Sequence, residues 1–221
     1  MKNIIIFGNG EFAKLMKYYI DNDTDYKILA ITVDRSFINS DNDEIDGIKV
    51  LPFDEIVNRF SPNECSILIA IGYSKMNTIR ENIFKKCKKL GFSIASYISS
   101  TAIIAGNSVL GEGNIILEDV LIQPFVQIGD GNIIWYKSAI AHNCNIGDFN
   151  TFAGMSSVSG DVVIENNCFI GNNSTIKDKL MIANYTLVGA GSYINYNTSE
   201  YDVFVPCKSK LLEKKSTSID I

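Results

Sequence analysis

From Ile98 to Ile194 every sixth residue is apolar without a missed step: Ile98, Ile104, Leu110, Ile116, Ile122, Ile128, Ile134, Ile140, Ile146, Phe152, Val158, Ile164, Ile170, Ile176, Ile182, Val188 and Ile194. A period of six is neither the 3.6 of a helix nor the 2 of a lone strand, and it marks a solenoid. Each hexad is expected to form one short strand and a turn, with the aliphatic residue facing a central core and three hexads closing a triangular coil. Coils stacked as parallel strands at about 4.8 Å give a prism roughly 26 Å tall. Four positions after each aliphatic residue the side chain is usually small, as at Ala102, Ser108, Ser138, Cys144, Ser156, Cys168, Ser174, Thr186 and Ser192, which is where a bulky corner would collide. Gly-rich pairs such as Gly111 to Asn114 and Gly129 to Asn132 supply turn chemistry between the columns.

The first ~95 residues have a different pattern, in which continuous apolar runs alternate with helical periods, as in a small parallel α/β unit with right-handed crossovers. Lys2 to Phe7 reads as a buried strand feeding Gly8-Asn9-Gly10-Glu11-Phe12-Ala13, a G-x-G-x-x-A loop that opens a helix through about Ile20. Such a loop lets the backbone approach a phosphate while the helix N-terminus offers free N–H groups. A second strand, Ile28 to Val33, ends at Asp34, where a dinucleotide fingerprint places an acid. Gly47 to Val50, a helix around Asp54 to Phe60, a strand from Cys65 to Ile71 ending at Gly72, a helix from about Met76 to Leu90 and a strand from Phe92 to Tyr97 complete the unit. It is short for a full two-halved dinucleotide domain, so a nucleoside diphosphate carrying something small fits better than NAD. Lys85, Lys86, Lys88 and Lys89 read as a solvated helix face.

The chain has 221 residues and a net charge of -5, which argues against a nucleic-acid groove as its main business. No apolar run approaches the ~20 residues of a membrane span and no leader is evident, so the expected location is the cytoplasm. The five cysteines show no metal-ligand spacing, and no metal site is expected. The single histidine, His142, sits in the hexad run at a coil corner, where a neutral imidazole can accept a proton near pH 7.

The order of these two parts resembles the PglD- and NeuD-type bacterial nucleotide-sugar acyltransferases of the hexapeptide-repeat superfamily, over almost the full chain. The resemblance rests on Gly8-Asn9-Gly10, on Asp34, on Ala70-Ile71-Gly72 with Arg80, and on His142-Asn143-Cys144-Asn145-Ile146-Gly147-Asp148, which aligns with an H-[ED]-x-x-I-G-[ED] motif at every fixed position but Asn143. It implies a Rossmann-like nucleotide-sugar-binding domain (1–96), a left-handed parallel β-helix (97–196) and a C-terminal tail (197–221). It further implies a homotrimer with active sites between subunits, acetyl-CoA as co-substrate, and a nucleotide-linked amino sugar as acceptor, for surface glycan synthesis such as that of O-antigen. His142 is then the implied general base. Gly8, Asn9, Gly10, Asp34, Gly72 and Arg80 would hold the nucleotide sugar. Gly160, Asn172, Ala190 and Lys208 would meet acetyl-CoA, with the Gly160 N–H as candidate oxyanion donor.

Three departures stand out: Asn143 replaces the acid beside the histidine, Trp135 stands where many relatives have Asn, and Thr151 replaces a second His of some members. An acid raises imidazole basicity whereas Asn only orients it. Trp135, with Tyr136, is expected as an apolar wall of the acceptor site or as packing. Transfer to a sugar hydroxyl, as in sialic-acid O-acetyltransferases, and a non-catalytic scaffold on a decayed transferase are the alternatives; an NAD-dependent oxidoreductase is disfavoured by the short first domain.

Overall fold

The computed structural model describes residues 2–38, 43–209, 211, 213 and 217. The hexads form two-residue strands in strict 18-residue register: Ile133–Ile134 pairs in parallel with Ile115–Ile116 below and Thr151–Phe152 above. Three parallel sheets close a prism. Face one runs from Tyr97–Ile98 to Leu187–Val188, face two from Ile103–Ile104 to Tyr193–Ile194, and face three from Val109–Leu110 to Met181–Ile182. The second residue of each doublet points inward, so the aliphatic column becomes one core from Ile116 to Ile194, with Ile104 and Leu110 half-buried at its open end. Ile98 departs from the expected column: it is 42 % exposed, because no coil lies beneath the first one to cover it.

Corners turn through the left-handed backbone region at six-residue intervals. Lys137, Asn143, Phe149 and Met155 have φ between 55 and 59°, so most corners carry a side chain where glycine was the expected device. The strain of an L-residue in that region is met by packing and by the regular hydrogen bonds of each turn. The buried Asn114, Asn132 and Asn150 bind the next coil: the Asn132 N–H donates to Asn114 Oδ1 (2.9 Å) and the Asn150 N–H to Asn132 Oδ1 (2.8 Å).

The N-terminal unit is a five-stranded sheet in the order β3-β4-β2-β1-β5, formed by β1 (Lys2–Phe7), β2 (Tyr26–Val33), β3 (Glu44–Ile45), β4 (Ile48–Pro52) and β5 (Ser66–Ile69). Only the β3–β4 hairpin is antiparallel. Helices α1 (Glu11–Asp23), α2 (Phe53–Arg59) and α3 (Thr78–Lys89) cover it. β1 alternates its contacts, with Ile4 and Ile6 packing into one core and Ile5 and Phe7 into the other, as a strand covered on both faces must. The expected strand from Phe92 to Tyr97 does not form: Ile94 makes a single bridge to Ile67, and Tyr97 already belongs to the first rung of face one. The tail also differs from expectation at its start, since Val203–Phe204 pairs with Leu187–Val188 and adds a seventh strand to face one. The frayed or helical end expected for Glu213 to Ile221 lies almost wholly outside the described residues.

The α/β unit docks on face one. Ile115, Leu117, Ile133 and Trp135 join its core, Tyr73 packs on Phe169 at 5.0 Å, and Tyr19 donates to Glu118. At the C-terminal end of α1, Asp23 Oδ2 accepts from the Tyr97 hydroxyl (2.8 Å) and the Ser100 N–H (2.9 Å). The Ser100 bonds, with Tyr97 adding, hold the Asp23 carboxyl below its ordinary value.

Candidate active site

Two concavities collect most of the residues singled out from the sequence. The first, about 380 Å³, lies at the C-terminal ends of β1, β2 and β5 and is lined by Gly8, Asn9, Gly10, Phe12, Asp34, Phe37 and Gly72 among others. Its floor depends on glycine: Gly8 has φ 136°, and a Cβ there would lie 2.6 Å from the Ala70 carbonyl oxygen. Gly10 caps α1 with no side-chain hydrogen bond, so the first N–H groups of the helix have no capping side chain. Asn9 Nδ2 donates to the Phe37 carbonyl (3.0 Å) and draws the short turn after β2 over the loop. Asp34 is paired with Lys86 Nζ at 2.6 Å, both side chains nearly half exposed. Lys85 and Lys88 likewise pair with Glu81 and Glu112 on the solvated face of α3.

Arg80 is not in this pocket. It is 1 % exposed, and its donors are spent across the domain junction. Nε donates to the Gly131 carbonyl (2.8 Å), Nη1 to Gly72 (2.9 Å), and Nη2 to Phe149 and Asn150 (3.1 Å each) and to Asn77 Oδ1 (3.1 Å). The expected nucleotide contact is corrected to a docking role: with every N–H engaged and buried, none is free for a phosphate. Burial pulls the guanidinium below its ordinary value while this ring of acceptors favours the cation. Thr151 belongs to the same network, its hydroxyl donating to Asn77 Oδ1 at 2.7 Å under the α/β unit. The residue standing where some relatives have a second histidine is therefore part of the junction. Trp135 packs on Phe12 at 5.5 Å at that junction, and Tyr136 covers Gly154, where a Cβ would lie 2.6 Å from the ring. The packing alternative describes both, although Phe12 connects Trp135 to the first pocket's wall.

The second concavity, about 310 Å³, is a groove on face two lined by Leu121, Gln123, Ala139, Ala141, His142, Ser157, Ser159 and Gly160. His142 stands at the corner between faces two and three, its N–H held by Gln123 Oε1 (3.1 Å). Gly160 occupies the same corner one coil on, and a Cβ there would lie 2.6 Å from imidazole Cε1. Any larger residue would displace the ring. The register also leaves the Gly160 N–H without a partner among the described residues. In the coil below the equivalent amide binds the Gln123 side chain, but the residue standing in that relation to Gly160 is Ala141, which has no side-chain acceptor. A bare N–H thus sits beside an exposed imidazole. Asn172 and Ala190 do not join them: they lie at the corner between faces one and two, where the Asn172 carbonyl accepts from Gly191 (2.7 Å). Lys208 is exposed beyond the last rung. The sequence reading missed Gln123, Phe37 and Asp161, whose contributions depend on the 18-residue stacking. Among the described residues no three His, Cys, Asp or Glu side chains cluster as a metal would require, and no helix is long and apolar enough to cross a membrane.

The family described as PglD N-terminal domain matches residues 3–87, and the bacterial transferase hexapeptide family, six repeats, matches residues 161–196. The chain thus carries a PglD N-terminal domain followed by bacterial transferase hexapeptide repeats. No curated protein matches the sequence significantly. Among solved structures, PerB from Caulobacter crescentus, in complex with CoA and GDP-perosamine, is 23% identical with a TM-score of 0.79, over 92% of this chain and 93% of that one. WeeI from Acinetobacter baumannii AYE is 22% identical, TM-score 0.78, over 93% and 97%. The acetyltransferase domain of PglB from Neisseria gonorrhoeae FA1090 is 19% identical, TM-score 0.76, over 92% and 96%. At these identities the likeness shows a shared fold: a PglD-type α/β domain followed by a left-handed β-helix.

Proposed function

We propose that the protein is an acetyl-CoA-dependent N-acetyltransferase acting on the amine of a nucleotide-linked amino-deoxysugar in the cytoplasm, assembled as a homotrimer. The observation that carries this is the placement of the two concavities. The glycine-loop pocket is on a unit docked to face one, whereas the His142 groove lies at the opposite vertex of the prism. A substrate gripped in the pocket of one chain meets a His142 groove only in a second copy, which the trimer supplies. CoA-bearing and GDP-perosamine-bearing structures of PerB support acetyl-CoA and a nucleotide-linked amino sugar as the two substrates.

In this reading the pocket formed by Gly8, Asn9, Gly10, Asp34 and Gly72 holds the nucleotide diphosphate, its pyrophosphate against the start of α1. The sugar amine uses its lone pair to form a bond to the thioester carbon, and the carbonyl π pair moves to oxygen, where the Gly160 N–H receives it. Collapse expels the CoA sulfur, which takes up the proton shed by the amine. His142 is the catalytic residue beside the attacking nitrogen. As a general base, the role implied by the resemblance, it needs a bare Nε2 and a hydrogen on Nδ1. Asn172, Ala190 and Lys208 are proposed to follow the CoA chain along the neighbouring corner.

The test is CoA-thiol release from acetyl-CoA with UDP-, dTDP- and GDP-linked amino-deoxysugars and with free sialic acid, comparing wild type with His142→Ala. Release with an amino sugar, reduced about 100-fold or more in the variant, is expected. Release with sialic acid alone would favour the O-acetyl reading, and a folded trimer that binds no acyl-CoA would favour the scaffold.

A further inference from the structure

The acid that relatives carry beside the histidine is missing, but a carboxylate has not left the corner. Asn143 Nδ2 lies 3.2 Å from His142 Nδ1 and 3.2 Å from Asp161 Oδ1. Asn143 and Asp161 are one coil apart, both in the left-handed conformation (φ 59° and 60°), so their side chains project in parallel. An ionised carboxylate only accepts hydrogen bonds, and an amide NH₂ only donates. Asp161 therefore fixes which way the Asn143 amide faces: turned over, it would point its oxygen at the carboxylate. The second amide hydrogen then goes to His142 Nδ1, which must be bare to receive it. The ring's own hydrogen is left on Nε2, which has no protein partner among the described residues.

We infer that Asp161 is a positioning residue for His142: acting through Asn143, it holds the imidazole in the tautomer that carries its hydrogen on Nε2. The tautomer follows from the corner's geometry alone; its consequence for the acceptor rests on the transfer reading above and gives a physical reason for an amine. A base at Nε2 requires the opposite tautomer, reached only by turning the amide and giving up the Asp161 contact. A sugar hydroxyl is a weak nucleophile that needs its base at the moment of attack, and the resting corner does not offer one. A neutral amine attacks with its own lone pair and sheds its proton after the bond has formed. The corner thus selects amines over hydroxyls.

The chain contains one histidine, so two-bond proton–nitrogen correlation spectra of ¹⁵N-labelled protein give one imidazole with two assignable ring nitrogens. At about pH 8, above the ordinary imidazole range, the wild type is expected to show Nε2 protonated and Nδ1 bare. Asp161→Gly suits φ 60° and removes the carboxylate together with its methylene; both ring nitrogens should move to averaged shifts as the amide turns freely. Asn143→Asp combined with Asp161→Gly puts an acceptor against Nδ1 and should invert the pattern, with Nδ1 protonated. A wild-type ring protonated on Nδ1, or an Asp161→Gly spectrum identical to wild type, overturns the inference. The spectra need neither acyl donor nor acceptor, so a failure of acetyl transfer would sink the functional reading without touching this result.

Discussion

Removing Arg80 should undock the two domains, and the size of the effect follows from which carbonyls it alone serves. Asn150 O also accepts the Ile133 N–H, and Gly72 is partly exposed to water. The buried Gly131 and Phe149 carbonyls have Arg80 as their only partner among the described residues. A buried carbonyl left unpaired costs about 1–3 kcal/mol, so Arg80→Met loses ~2–6 kcal/mol from these two. Relief from dehydrating a cation offsets part of it, and the expected net destabilisation is about 3 kcal/mol. Arg80→Lys should fall between, since one ammonium cannot span acceptors on Asn77 at the cap of α3, the Gly72 turn and two coils. The assay is equilibrium urea unfolding followed by fluorescence of Trp135, the single tryptophan, which sits in the junction against Phe12. An early fluorescence transition preceding loss of β-helix circular dichroism is expected. A loss below about 1 kcal/mol with a single coincident transition would refute the docking account and return Arg80 to the nucleotide pocket.

Gly160→Ala should leave stability near wild type but push the imidazole aside, lowering kcat by about 10²-fold with little change in acceptor KM; unchanged kcat would show that the contact does not matter. Gly8→Ala combines a left-handed φ with the Ala70 oxygen and should abolish nucleoside diphosphate binding in calorimetric titration while leaving acyl-CoA binding, titrated separately, unchanged. Asp23 has a lowered folded value, so its bonds to Tyr97 and Ser100 stabilise the junction fully above the ordinary aspartate range, about 3.9, and are lost as pH falls through the folded value; Asp23→Asn should flatten that part of an acid-unfolding curve. Burial raises the thiols of Cys65, Cys87, Cys144 and Cys168, to about 12 for Cys87 and Cys168. In the native protein a thiol reagent should therefore modify the exposed Cys207 first, with the other four reacting only on unfolding.

The prism was legible because its signal is redundant: seventeen apolar residues in one phase state the same thing, and a single exposed end such as Ile98 does not blur it. The glycine loop was legible for a related reason, since Gly8, Asn9, Gly10, Asp34 and Gly72 come together wherever a βαβ unit closes on itself. Arg80, Trp135 and Thr151 were not legible, and they share one cause. Each is decided by which face of the prism meets the α/β unit, a relation between residues 51 to 123 positions apart that no local pattern encodes. Polar residues at such a junction look like site residues, because both are polar groups placed without regard to the hydrophobic period. Exposure separates them. Arg80 and Thr151 are buried with their polar atoms engaged, whereas His142 and Asn143 are exposed at a corner, with His142 lining the groove. By the same criterion the loss of an acid at position 143 cannot be judged from that position alone. Coils repeat every 18 residues, so residue 161 is as near to residue 143 as a sequence neighbour, and the charge missing from one coil stands in the next.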